Sequence, residues 1–116
     1  MNKRKFGIIG EKIAQGFLAN RGYKILENNF YTKRGEIDII AQKDKCIIFV
    51  EVKTRTSFSV GTPAMAVNTT KKTHIKSVAK IYLHLKRLYK CDVRFDVIEV
   101  FIKDGKCEIN HIEGAM

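Results

Sequence analysis

Apolar residues recur at helical spacing over 6–21, where Ile9, Ile13, Ala14, Phe17 and Leu18 form one face and Gly22 offers a C-terminal stop. The period then changes. Tyr23–Phe30 reads as a weaker strand and Thr32-Lys33-Arg34-Gly35 as a turn. Glu36–Ala41 and Cys46–Lys53 are strands rich in Ile, Val and Phe, joined through Gln42-Lys43-Asp44-Lys45. Thr54–Val67 contains Ser57, Ser59, Gly61 and Pro63, has no period, and reads as a mobile loop. Asn68 or Thr69 caps a second helix running to about Tyr89, with Ile75, Val78, Ala79, Tyr82, Leu85 and Tyr89 at helical spacing. Val93–Ile102 is a strand, Lys103-Asp104-Gly105-Lys106 a hairpin turn, and Cys107–Ile112 the last strand. Helix, three strands, helix and two strands within 116 residues predict one α/β domain over 1–116, its mixed sheet covered on both faces.

Charges interrupt this pattern at informative places. Side chains alternate along a strand, so Glu51 and Lys53 share a face, and the hairpin brings Asp38 alongside them. An unpaired buried charge is costly, so such a triplet in apolar runs needs a reason. Two carboxylates and an ammonium fit a divalent-cation site. Mg²⁺ uses one or two carboxylates with water and substrate phosphate, which here would be Asp38 and Glu51, with the Val52 carbonyl as a third oxygen. Lys53 would orient or help deprotonate an attacking water and offset phosphate charge. The plainer alternative is a Glu51–Lys53 ion pair on an edge strand; Ile47-Ile48-Phe49-Val50 argues against it, because that run marks a central strand. Glu36 shares parity with Asp38 and either approaches the metal or bonds backbone groups at the Gly35 turn. Glu11, taken alone, is a favourable charge near a helix N-terminus.

Composition sets the partner class. The 22 Lys and Arg against 12 Asp and Glu give a net charge of +10, which favours polyanions, nucleic acid first and an anionic membrane surface second. Arg55, Lys71, Lys72, Lys76, Lys80, Lys86, Arg87 and Lys90 fall in Thr54–Cys91, which has no acidic residue. On a helix, Lys72, Lys76, Lys80 and Arg87 form one flank suited to a phosphate backbone. Lys71 faces inward at the helix start, where it either reaches a substrate phosphate or snorkels past the core edge. The helix lacks the broad exposed apolar face of a membrane-surface element, and no run approaches the length of a membrane span. The apolar run Phe6–Ile9 after Lys3-Arg4-Lys5 is too short for a signal peptide. Cys46, Cys91 and Cys107 show no metal-binding spacing and suit a reducing compartment, so the expected location is cytoplasmic. His74, His84 and His111 share no spacing and receive no role, and no phosphate loop, nucleophile elbow or dinucleotide fingerprint is present.

Asp38 followed by Glu51-Val52-Lys53 resembles the signature of the PD-(D/E)XK nuclease superfamily, with Ile37 where a Pro usually precedes the Asp. Gly7-x-x-Gly10-Glu11-x-x-Ala14, Gly22-Tyr23, Gly35-Glu36-Ile37-Asp38 and Phe49-Val50-Glu51-Val52-Lys53-Thr54-Arg55 resemble more specifically the bacterial YraN-like family, whose fold is similar to archaeal Holliday-junction resolvases. Arg94-Phe95-Asp96-Val97 and Lys71 also match its pattern. The resemblance implies a restriction-endonuclease-like core and Mg²⁺- or Mn²⁺-dependent hydrolysis of phosphodiester bonds in branched or structured DNA. It implies catalytic roles for Asp38, Glu51, Lys53 and Glu11, with Asp38, Glu51 and Glu11 holding the metal. Arg55, Lys71, Lys72, Lys76, Lys80 and Arg87 are the expected nucleic-acid contacts, and resolvases of this fold act as dimers, which implies a homodimer. The alternative from another class is a non-catalytic nucleic-acid-binding module that retains the fold.

Overall fold

The computed structural model describes residues 2–56 and 69–116. Helix α1 spans Lys3–Asn20, followed by strands β1 (Lys24–Thr32), β2 (Gly35–Lys43) and β3 (Cys46–Arg55). Helix α2 (Thr69–Leu85) then leads to β4 (Asp92–Lys103) and β5 (Lys106–Ile112). The five strands form one sheet in sequence order. β1–β2, β2–β3 and β4–β5 pair antiparallel, whereas β3 and β4 run parallel with α2 between them in the chain. The sequence therefore folds as an α/β domain with a five-stranded mixed sheet flanked by two helices, an arrangement compatible with a restriction-endonuclease-like core.

Each helix buries its apolar stripe on one face of the sheet. Ala14 and Leu18 of α1 pack with Ile39, Ala41, Ile48, Val50, Ile98 and Val100. Ile75, Val78, Ala79 and Tyr82 of α2 pack with Ile37, Ile40, Ile47 and Phe49. β3 contributes to both clusters, as the continuous apolar run Ile47–Val50 requires of a central strand.

The element ends differ from the periodic reading where capping overrides periodicity. α1 starts at Lys3 because the Asn2 side chain accepts the Lys5 N–H at 2.8 Å. Its end is as expected: Tyr23 N–H reaches Leu18 O at 3.0 Å and Gly22 N–H reaches Ala19 O at 3.2 Å, with Gly22 at φ 88°. α2 stops at Leu85 rather than near Tyr89. Arg87 adopts φ 55°, with Leu88 N–H on Leu83 O at 2.9 Å and Arg87 N–H on His84 O at 3.1 Å, the same closing pattern without a glycine. Arg87 therefore lies off the helix, and the expected basic flank reduces to Lys72, Lys76 and Lys80. Thr54 and Arg55, expected in the loop, extend β3, and the remainder of that expected loop beyond Thr56 falls outside the described residues.

Behind α1, a polar clamp ties β4 to β5 and to the residues after it. Asp96 is fully buried and receives Arg94 Nε and Nη2 at 2.8 Å each, Gly114 N at 3.0 Å and an imidazole contact from His111 Nε2 at 2.7 Å. Burial alone would raise the Asp96 pKa, but these partners outweigh it and hold the carboxyl below its usual range. Arg94 also donates to the Tyr23 hydroxyl at 2.8 Å. His111, which has no sequence signal for a role, is a structural member of this clamp.

α1 reaches β3 by close backbone approach. A Cβ on Gly10 would lie 1.9 Å from Thr54 Oγ1 and 2.8 Å from Thr54 Cβ, so the helix can sit this near the strand only with glycine at position 10. Gly10→Ala is expected to lower stability by about 1–3 kcal/mol through overpacking, and Thr54→Ala in the same chain to recover part of that loss. Thermal denaturation of the two single variants and the double variant checks this.

Candidate metal centre

The centre forms where the sheet forks. β2 and β3 pair from Lys43↔Cys46 to Ile39↔Val50 and no further. Beyond that point the Val52 N–H, freed from the ladder, donates to Asp38 Oδ2 at 2.8 Å. The strand alternation breaks here too: Ile37 packs with the α2 cluster and Ile39 with the α1 cluster, although a regular pleat would put both on one face. β1 is irregular at the same level. Its pairing runs from Asn28↔Ile39 to Phe30↔Ile37, stepping over Asn29, which has φ 52°.

Three carboxylates converge at this fork. One oxygen each from Glu11, Glu36 and Asp38 lies within 4.8 Å of the other two, and all three residues are partly buried. Asn29 Nδ2 bridges two of them, at 2.8 Å from Glu11 Oε1 and 3.2 Å from Glu36 Oε1. The Asp38 pKa is pushed up to about 8, first by burial and then by the charge of Glu51, with Glu11 and Glu36 adding to it and the Val52 N–H opposing it.

The expected residues fall into three groups. Asp38 and Glu11 meet in the carboxylate set, and Glu36, left open between two roles, joins them. Glu51 is buried, and although its charge acts on Asp38, its carboxylate is ion-paired with the Lys71 ammonium of α2 rather than in the compact set. Lys53 lies among Arg55, Lys71, Glu51 and Glu99, and burial first, then the Arg55 and Lys71 charges, lower its pKa. Arg55 is held by buried Glu99 at 3.0 Å, whose other oxygen takes Asn110 Nδ2 at 3.1 Å. Lys76 and Lys80 are exposed on α2 and Lys72 is half-buried; the Lys76 ammonium rests 5.9 Å from the Phe95 ring centroid. An open cleft of ≈ 510 Å³ between α1 and the end of β3 is lined by Lys3, Glu11, Val52, Thr54 and Arg55 among others.

Asn29 is the site residue that sequence reasoning missed. Its signal was available: a pair of asparagines in the middle of an otherwise strand-like run, where Asn is a poor strand former and tolerates the left-handed region.

The donor set is all oxygen, which suits a hard divalent cation such as Mg²⁺ or Mn²⁺. Oxygens within 4.8 Å of one another are near the roughly 4.2 Å that spans a cation with ~2.1 Å bonds, so small side-chain shifts would close the set.

Fold and site thus describe an α/β domain with an acidic centre set in a basic chain. A model of the Uncharacterised protein family UPF0102 matches residues 10–100, and the chain belongs to that family. A UPF0102 protein of Alkaliphilus oremlandii is 50% identical over 117 residues, covering 99% of each chain. One of Caldicellulosiruptor bescii is 50% identical over 117 residues, covering 97% of this chain and 94% of its own. One of Syntrophomonas wolfei is 44% identical over 112 residues, covering 97% of both. Among solved structures the chain is similar to Pyrococcus furiosus SfsA in complex with Ca²⁺, with TM-score 0.44 and 17% identity, over 97% of this chain and 64% of that one. No helix among the described residues is long and apolar enough to cross a membrane.

The Asp38 shift has a sign that stability measurements read. Its ordinary value is 3.8 and its folded value about 8, so between them the folded state holds more protons than the unfolded one. Without divalent cation, the Asp38 contribution to stability is expected to be full below pH 3.8 and to fall as pH rises from there to about 8. Asp38→Asn should flatten that dependence in denaturant titrations across the same window.

Proposed function

We propose that this protein is a divalent-metal-dependent endonuclease of PD-(D/E)XK type acting on branched or structured DNA. The observation that carries the reading is the cluster of Glu11, Glu36 and Asp38, with Glu51 beside it, at a sheet fork bordered by Lys53, Arg55 and Lys71. Carboxylates this close repel one another, and protonation or a cation relieves the repulsion. A chain of net charge +10 gains nothing for polyanion binding by gathering its acids at one point. They make sense there as ligands.

Asp38 and Glu11 would hold Mg²⁺ or Mn²⁺, with Glu36 completing the compact set and Glu51 on its Lys71 side. The bound cation supplies Lewis-acid polarisation of a phosphate and lowers the pKa of water. Asp38 is oriented for its part by the Val52 N–H. The lowered Lys53 pKa makes its ammonium a readier proton donor, suited to orienting an attacking water or, once neutral, to deprotonating it. Lys71, on the exposed side of Glu51, is placed to exchange its carboxylate partner for a phosphate. Lys72, Lys76 and Lys80 extend positive charge along α2 for the flanking backbone. Reading the chain as dimeric rests on the same resemblance and reading it as cytoplasmic on its scattered cysteines, and both accompany this proposal.

Calorimetric titration with Mn²⁺ and cleavage assays on a four-way junction, a flap and plain duplex test it. Asp38→Asn is expected to lose Mn²⁺ uptake and cleavage while keeping metal-free DNA affinity. Lys53→Ala is expected to keep Mn²⁺ uptake but lose roughly 100- to 1,000-fold in cleavage rate. A wild-type chain that binds these DNAs, takes up no metal and cuts none is instead the non-catalytic binding module.

A further inference from the structure

Tyr31 is the most exposed large hydrophobic side chain among the described residues, at 70%, and it stands on edge strand β1 two residues beyond Asn29. It lines an open cleft of ≈ 430 Å³ with Lys3, Arg4, Ile8, Glu11 and Glu36 among the other lining residues. Ile8, on the α1 wall, is 43% exposed, so both walls present apolar surface to solvent. Tyr31 lies opposite Glu36 in the β1–β2 register, and the Glu36 carboxylate raises the phenol pKa. The ring is thus set beside the carboxylate cluster while most of it stays exposed.

Lys3 and Arg4 occupy the first turn of α1, which holds no acidic residue. Basic groups there oppose the helix dipole, so their placement does not serve the helix. Lys33 and Arg34 are exposed in the β1–β2 turn that follows Tyr31. An aromatic platform ringed by cations and opening beside a phosphodiesterase-type acidic centre is the pattern that binds single-stranded nucleic acid, whose bases stack and whose phosphates pair with Lys and Arg. In a duplex the base faces are already stacked and cannot meet the ring.

We propose that this cleft seats an unpaired nucleotide, its base stacked on Tyr31 and its phosphates on Lys3 and Arg4, immediately beside the Glu11–Glu36–Asp38 centre. The inference deepens the nuclease reading by making the substrate strand one with an unpaired base next to the reacting phosphate, as at a flap or branch point. Its binding step needs no metal. The carboxylates on the cleft floor repel phosphate, so without a cation the strand engages the mouth, through Tyr31, Lys3 and Arg4.

The test measures fluorescence anisotropy of a labelled oligothymidylate and of a blunt duplex of equal length, in EDTA. Tyr31→Ala should weaken oligothymidylate binding roughly 5- to 100-fold and leave duplex binding within about two-fold, while Tyr31→Phe, which keeps the ring, should stay near wild type. Lys3→Gln with Arg4→Gln should reduce the salt slope for the single strand by about 0.7 for each phosphate no longer neutralised. The proposal is overturned if Tyr31→Ala binds oligothymidylate as wild type does, if it weakens duplex equally, or if Tyr31→Phe falls as far as Tyr31→Ala. Because EDTA removes divalent cation, a failure here leaves metal uptake and junction cleavage to be judged separately. Conversely, an inactive, metal-free protein that still shows the Tyr31 ring dependence retains this site.

Discussion

One hydrogen bond, from the Val52 N–H to Asp38 Oδ2, organises the acidic end of this molecule. A backbone donor on a central strand must find an acceptor once its ladder ends. Had the β2–β3 ladder continued past Ile39↔Val50, that donor would have met a carbonyl and Asp38 would have taken its place in the pleat. Because a carboxylate accepts it instead, β2 departs from β3, Ile37 turns to the α2 core, and Asp38 comes to lie with Glu36 and Glu11. The acidic centre is therefore built from a broken ladder, and the same bond both positions Asp38 and favours its ionised form against burial and neighbouring charge.

Most of the fold was legible because its signals are local. The helical stripes of α1 and α2, the apolar run of β3 and the Asp104-Gly105 turn each follow from a few adjacent residues. The Asp104-Gly105 pair takes φ 52° and 74°, as a two-residue hairpin needs. The misplaced boundaries have equally specific causes. Arg87 closes α2 in a conformation usually given to glycine, so no residue type announced the stop. Asn2 opens α1 ahead of three basic residues that hid the start of the amphipathic pattern.

The candidate site's residues stood out in the sequence more clearly than their grouping did. Asp38, Glu51 and Lys53 stood out as charges in apolar strands, but regular strand parity placed Asp38 with Glu51, whereas the fork groups it most tightly with Glu11 and Glu36. Parity assumes an unbroken pleat, and the break comes from a side chain-to-backbone bond between residues 14 apart. Asn29 escaped for a related reason: its role depends on a left-handed backbone that only the partner strand and helix reveal. The ion pairs of Glu51 with Lys71 and Arg55 with Glu99 likewise join segments too distant in sequence for spacing to register.

Asn29 carries a second consequence, for how copies of this protein meet. β1 is an edge strand, and a straight exposed edge is a template on which another chain can extend the sheet. The left-handed residue at 29, together with the register shift between Ile25 and Glu27, breaks the row of outward donors and acceptors that such pairing needs. Straightening β1 to accept a neighbour would pull the Asn29 amide away from Glu11 and Glu36. At this border, the left-handed backbone that presents the Asn29 amide to Glu11 and Glu36 is also one that disfavours sheet extension through β1.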